Sequence, residues 1–266
     1  MLNFRRLTML FFITLLSLNL WNFFSGKSSI NLFHTHALLF YSLLFIVYFG
    51  ISFFMAFLPC TNFHYRIICH GKTEEKLVAI TFDDGPDPIK TPVILDVLDM
   101  YHVKATFFCI GKNIADHEQL IKRMDEEGHL IGNHSFSHSK WFDLFSPGVM
   151  KTELLKTDQL VKKITGKSPL FFRPPYGVVN PMVSKALKNM HWQPVCWNIR
   201  SFDTLGNGPE KIMNRILKQL KPGSVILLHD VTPFTQHYLG ELISGIQEAG
   251  FRIVPLDKML NMPAYA

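Results

Sequence analysis

Hydrophobic residues follow two regimes along this chain. Up to about residue 60 they form long unbroken runs, and beyond residue 77 they form short runs separated by amphipathic stretches. Residues 7–24 are interrupted only by Thr, Ser and Asn, and residues 37–58 carry no charge at all. About 20 consecutive apolar residues suffice for a helix to cross a bilayer, so the two runs predict a transmembrane hairpin. The rival reading is a secretory signal, with Arg5 and Arg6 ahead of its apolar core. Against it, Trp21, Asn22, Phe23 and Phe24 stand where a small-residue cleavage pattern is required. The expected organisation is an anchor over 1–60 (helices about 7–24 and 37–58), a linker over 61–76 and a single domain over 77–266.

In that domain the apolar runs have strand length and the stretches between them have helical period. Strands are expected at 77–82, 105–110, 130–133, 170–173, 194–198, 224–229 and 252–255. Helices are expected at 92–101, 117–127, 148–165, 181–190, 209–220 and 236–249. Pro92, Pro181 and Pro209 stand at helix starts, and Gly128, Gly166 and Gly250 at helix stops. Such alternation predicts a parallel α/β sheet, either closed into a barrel or open and doubly wound.

Charge changes this picture little. Of the formal +6, residues 1–76 hold six Lys/Arg against two Glu, so most of the basicity flanks the anchor. No basic stripe with interleaved aromatics appears, and no nucleic-acid partner is expected. Arg5 and Arg6 precede the first run, Lys27 lies between the runs, and Arg66, Lys72 and Lys76 follow the second. The positive-inside tendency places both ends in the cytoplasm and the loop at 25–36 outside. The alternative puts the domain on the extracytoplasmic side. Of the four cysteines, Cys109 and Cys196 lie inside apolar runs and read as buried thiols, while Cys60 and Cys69 could pair in an oxidising compartment.

The candidate chemistry gathers where strands end, the face on which parallel α/β barrels build their sites. The first strand ends in Asp83-Asp84, the third in His134-Ser-Phe-Ser-His138, the fourth in Arg173-Pro-Pro-Tyr176, the fifth near Asp203 and the sixth in His229-Asp230. Two histidines four apart and an Asp from another strand suit a divalent ion with positions left open. One carboxylate cannot readily both ligate and act as base, so the Asp pair divides into a ligand and a base. Alone, Asp84-Gly85-Pro86-Asp87 would read as a turn.

Taken in order, Thr81-Phe-Asp-Asp-Gly85, His134-Ser-Phe-Ser-His138, Arg173-Pro-Pro-Tyr176 and Leu227-Leu-His-Asp230 resemble the NodB-homology polysaccharide deacetylases, carbohydrate esterase family 4. The resemblance spans about 77–256 and implies a distorted (β/α)7 barrel. It implies that Asp84, His134 and His138 bind a divalent metal, zinc or in its place cobalt, nickel or manganese. Asp83 would be the base, oriented by Arg173, the Tyr176 backbone N–H an oxyanion donor, and His229 the acid. Leu227 would line the acetyl pocket, with Pro175 and Thr204 also at the substrate. The family's fourth motif, Asp-x-x-Asp-Trp, reads Arg200-Ser-Phe-Asp203-Thr204 here, so either Asp203 takes over the support of His229 or the acid's pKa is set differently, and the acyl pocket is altered. The implied activity is removal of N-acetyl groups from a sugar in a polysaccharide or lipid-linked glycan. The alternatives are a carbohydrate O-acetyl esterase and a non-catalytic glycan-binding membrane protein.

Overall fold

The structure is a computed structural model that describes residues 2–24, 30–232 and 235–266. Its strands are β1 (Leu77–Asp83), β2 (Thr106–Cys109), β3 (Leu130–Asn133), β4 (Phe171–Phe172), β5 (Gln193–Pro194), β6 (Ile199–Arg200), β7 (Ser224–His229) and β8 (Arg252–Ile253). They pair in parallel in the order β5-β4-β3-β2-β1-β7-β6, with β8 alongside the start of β1. The helices of the domain are α3 (Lys90–Met100), α4 (Gly111–Asp116), α5 (Glu118–Glu126), α6 (Pro147–Thr165), α7 (Pro181–Leu187), α8 (Pro209–Leu217), α9 (Thr235–Glu248) and α10 (Leu256–Leu260). They follow α1 (Phe4–Phe24) and α2 (Ile30–Ala56) of the N-terminal part.

β1 is buried on both faces, as expected of a central parallel strand. Val78, Ile80 and Phe82 pack outward with Ile94, Leu98, Leu239 and Leu242 of the surrounding helices. Ala79 packs inward with Phe108, Val225 and Leu256. The same alternation turns Thr81 and Asp83 toward the inside of the curl. Helix ends follow local chemistry. Ser146 caps α6 by accepting from the Val149 N–H at 3.4 Å, and Gly166 ends it at φ 76°.

The sheet curls into a barrel whose outer strands, β5 and β6, do not pair with each other. The single strand expected over 194–198 is instead two short ones. Between them the chain leaves the ladder: Cys196 N–H donates to Ile68 O at 2.8 Å, and the Asn198 side-chain oxygen accepts from Val225 N–H at 2.7 Å. Residues 68–71 occupy this opening, with bridges from Ile68 to Val195 and from His70 to Ser224. The stretch expected as a linker thus completes the sheet. It is tied back by a Cys60–Cys69 disulfide across nine residues, while Cys109 and Cys196 are buried free thiols.

α1 and α2 pack through Phe11 stacked on Tyr48, with ring centroids 4.5 Å apart, and through Thr8 Oγ1 and the Tyr48 hydroxyl at 3.0 Å. Many of their other apolar side chains, including Met9, Phe12, Leu16, Phe45 and Phe53, are exposed, and both helices are long and apolar enough to cross a bilayer. Lys27 and residues 25–29 of the expected outer loop lie outside the described residues. The pair rests on the domain: Val179 N–H donates to Ala56 O at 2.9 Å and Phe4 N–H to Phe63 O at 3.0 Å.

Candidate active site

Two strand ends, on either side of β2, deliver the candidate ligands. Asp84 follows β1 with φ 78°, and His134 and His138 follow β3, the latter with φ 45°. Left-handed backbone is costly for residues with a Cβ and concentrates at functional sites. Asp84 Oδ1 lies 3.4 Å from His134 Nε2 and 3.3 Å from His138 Nε2, and all three ligand atoms lie within 4.8 Å of one another. Two ligands bound at about 2.1 Å with a near-tetrahedral angle would be about 3.4 Å apart, so the set fits a divalent ion. His134 Nδ1 lies 2.8 Å from Arg173 O. Donation to that carbonyl protonates Nδ1 and leaves the Nε2 lone pair facing the other ligands.

Burial works to raise the Asp84 carboxyl, but the His134 bond and the nearby His134, His138 and His229 charges outweigh it and hold it at about 2. Burial, helped by His134, lowers His138 to about 4. A carboxylate and a neutral imidazole are the forms that ligate.

Beside this set is a buried ion pair. Arg173 is wholly buried and its Nη1 donates to Asp83 Oδ1 at 2.6 Å and to Thr81 Oγ1 at 2.8 Å. Its Nε donates to Val195 O and its Nη2 to Cys196 O, and the guanidinium lies 4.0 Å from the centre of the Phe108 ring. With these donors engaged, Arg173 fixes Asp83 in one orientation. Thr81, not anticipated from the pattern, is legible in hindsight as a polar residue in a wholly buried strand.

His229 ends β7, the strand beside β1, in register with Asp83. Its Nδ1 lies 2.8 Å from Asp203 Oδ1, and its backbone N–H donates to Asp203 Oδ2 at 2.8 Å. Ser201 Oγ and Thr235 Oγ1 also donate to Asp203, so the carboxylate is buried with its lone pairs used. Burial lowers the His229 pKa, yet the Asp203 bond and charge, with Asp83 and Asp84, overcome it and raise the group. Ser201 and Thr235 carried no signal in the sequence.

The other expected residues are placed unequally. Tyr176, at φ 59° in the short turn Pro175–Gly177, holds its ring 4.8 Å from that of His138. Pro175 and Leu227 are buried, whereas Thr204 is exposed on the rim. Asp230, quoted above without a role, is buried, accepts from Thr91 Oγ1 at 2.6 Å and is pushed up to about 7, chiefly by burial. A Cβ on Gly85 would run into the Asp230 carboxyl, so the chain needs glycine immediately after Asp84.

A curled parallel sheet bearing one carboxylate and two histidines close enough to hold a metal ion, with an arginine-fixed carboxylate and a carboxylate-backed histidine on the same strand-end face, has the groups of a hydrolase site. The polysaccharide deacetylase family profile matches residues 70–195. The chain is 37% identical over 196 residues to the peptidoglycan-N-acetylmuramic acid deacetylase PdaA of Bacillus subtilis (strain 168), covering 71% of this chain and 73% of that one. It is also 37% identical over 192 residues to a peptidoglycan-N-acetylglucosamine deacetylase of Bacillus cereus, covering 70% and 89%. The crystal structure of the Bc1960 peptidoglycan N-acetylglucosamine deacetylase superposes with a TM-score of 0.71 at 33% identity, covering 75% of this chain and 95% of that one. The chain belongs to the polysaccharide deacetylase family, carbohydrate esterase family 4, and is a hydrolase of carbon–nitrogen bonds other than peptide bonds.

Proposed function

We propose that this chain is a membrane-anchored, metal-dependent N-deacetylase. It acts on an N-acetylated sugar of peptidoglycan or a related glycan, with its catalytic domain on the extracytoplasmic side. The observation that carries the reading is that two supported pairs, Arg173–Asp83 and Asp203–His229, share the strand-end face with Asp84, His134 and His138. The relatives named above act on peptidoglycan.

A divalent ion held by Asp84, His134 and His138 supplies Lewis-acid polarisation of the acetamide carbonyl and lowers the pKa of water. Asp83 takes the proton of the attacking water, its free oxygen being the one that Arg173 leaves unbound. The Tyr176 N–H donates to the oxyanion that forms on the carbonyl. His229, its pKa raised by Asp203, gives its proton to the leaving nitrogen as the C–N bond breaks. Acetate and a free amino sugar result.

The cysteine pair supports the orientation, because structural disulfides persist in oxidising compartments. Acetate release from purified peptidoglycan by the full chain in detergent tests the activity. Chelation should abolish release and added zinc, cobalt, nickel or manganese should restore it, while Asp83→Asn should lower kcat about 10²- to 10⁴-fold. Undiminished turnover in Asp84→Ala, or after chelation, overturns the metal-dependent reading.

A further inference from the structure

Arg200 stands where the resemblance places an acidic residue, and its surroundings do not replace that role. In β6, Ile199 packs into the outer core, so the alternation of the strand turns Arg200 to the opposite, inner side. Its partner in register is Leu227, flanked by the outward-packed Ile226 and Leu228. Arg200 therefore opens onto the same side of the sheet as Asp83 and His229. There it lines a cleft of about 230 Å³ with Tyr176, Gly177, Trp197 and the chain leaving the anchor, Phe57 to Thr61.

The guanidinium lies 4.9 Å from the centre of the Phe202 ring and 5.9 Å from that of Trp197, and Arg215 reaches the same Phe202 at 4.7 Å. Among the described residues, Arg200 meets no carboxylate. Asp203, the acid nearest in sequence, is buried against His229. Aromatic faces hold a guanidinium by its plane and leave its N–H edge for a bidentate acceptor. A second cation on Phe202 adds positive potential.

We propose that Arg200 determines specificity by binding an anionic substituent, carboxylate or phosphate, carried by the N-acetylated sugar in the cleft beside Tyr176. The proposal rests on the deacetylase reading and goes further, to the chemical class of the substrate. Two sources carry that chemistry: a free lactyl carboxylate on a muramic acid unit, and the phosphate of a lipid-linked sugar.

The test uses the full chain in detergent with three substrates. These are neutral N-acetylglucosamine oligosaccharides, glycan strands with free lactyl carboxylates, and an N-acetylated sugar on polyprenyl diphosphate. In Arg200→Ala the ratio of kcat/KM on the anionic substrate to that on the neutral one should fall about 10- to 100-fold, through KM more than kcat. Arg200→Lys should recover part of it, and Arg200→Glu should invert the preference. The anionic substrate whose ratio falls identifies the source. An unchanged ratio in Arg200→Ala, or a wild type with no anionic preference, overturns the proposal. Should the wild type release acetate from none of the three, the deacetylase reading fails. Equilibrium binding of the same sugars, followed by tryptophan fluorescence, then decides alone: equal binding by wild type and Arg200→Ala rejects the anion site, and loss confined to the anionic sugars upholds it.

Discussion

A general acid is useful only while it holds its proton, so catalysis through His229 must fail as pH rises through its pKa. Asp203 is what raises that pKa against the burial that lowers it. Asp203→Asn keeps an acceptor near Nδ1 but removes the charge, so the folded pKa drops. The descending alkaline limb of kcat/KM should therefore move to lower pH. Turnover of an amide at neutral pH should fall about 10- to 100-fold, while an acetyl ester, whose leaving group needs less protonation, should suffer less. A pH–rate profile of the variant on both substrates checks this. An unmoved alkaline limb would mean that Asp203 only shapes the loop. The same-size loss on amide and ester would remove His229 from leaving-group protonation.

At the scale of elements, the site was legible because strand ends are few and their polar residues stand out against apolar runs. Asp83, Asp84, His134, His138, Arg173 and His229 all follow that rule. What hides is whatever does not follow strand or helix period. The left-handed backbone at Asp84, His138 and Tyr176 has no glycine to announce it. The expected strand at 194–198 breaks because an Asn198 side chain takes a ladder bond, and no periodicity records such a substitution. The 61–76 stretch read as a linker because its Lys and Glu cluster masks the single bridges at Ile68 and His70. Its participation has a measurable consequence. A bridge closing nine residues stabilises by about 2–3 kcal/mol in the chain-entropy account. Replacing Cys60 and Cys69 by Ser should lower stability by about that amount in urea unfolding of the full chain. Were the stretch only a tether, the disulfide would leave the domain's unfolding midpoint where it was.

For the whole molecule, a hairpin crossing the bilayer as proposed would put both ends of the chain on one side, because the start of α1 touches Phe63 at the edge of the domain. Two signals then disagree about which side. Arg5 and Arg6 sit at the domain's end of the hairpin and favour the cytoplasm, as do Arg66, Lys72 and Lys76 if counted with them. The Cys60–Cys69 pair favours an oxidising space. The charge count weakens on inspection of the fold. Residues 68–71 are built into the sheet, so the cations around them belong to a folded domain, and domains translocate largely regardless of charge. Two arginines against Lys27 remain, a small bias beside a covalent bond that cytosolic thiols would reduce. Alkaline phosphatase fused after Ala266 should thus be active and a fluorescent protein at the same position dark, with the opposite pattern for fusions at residue 26. A bright fluorescent fusion after Ala266 with a silent phosphatase would put the domain in the cytoplasm. It would make Cys60 and Cys69 a reduced pair and turn the substrate from the exported wall to a precursor inside the cell.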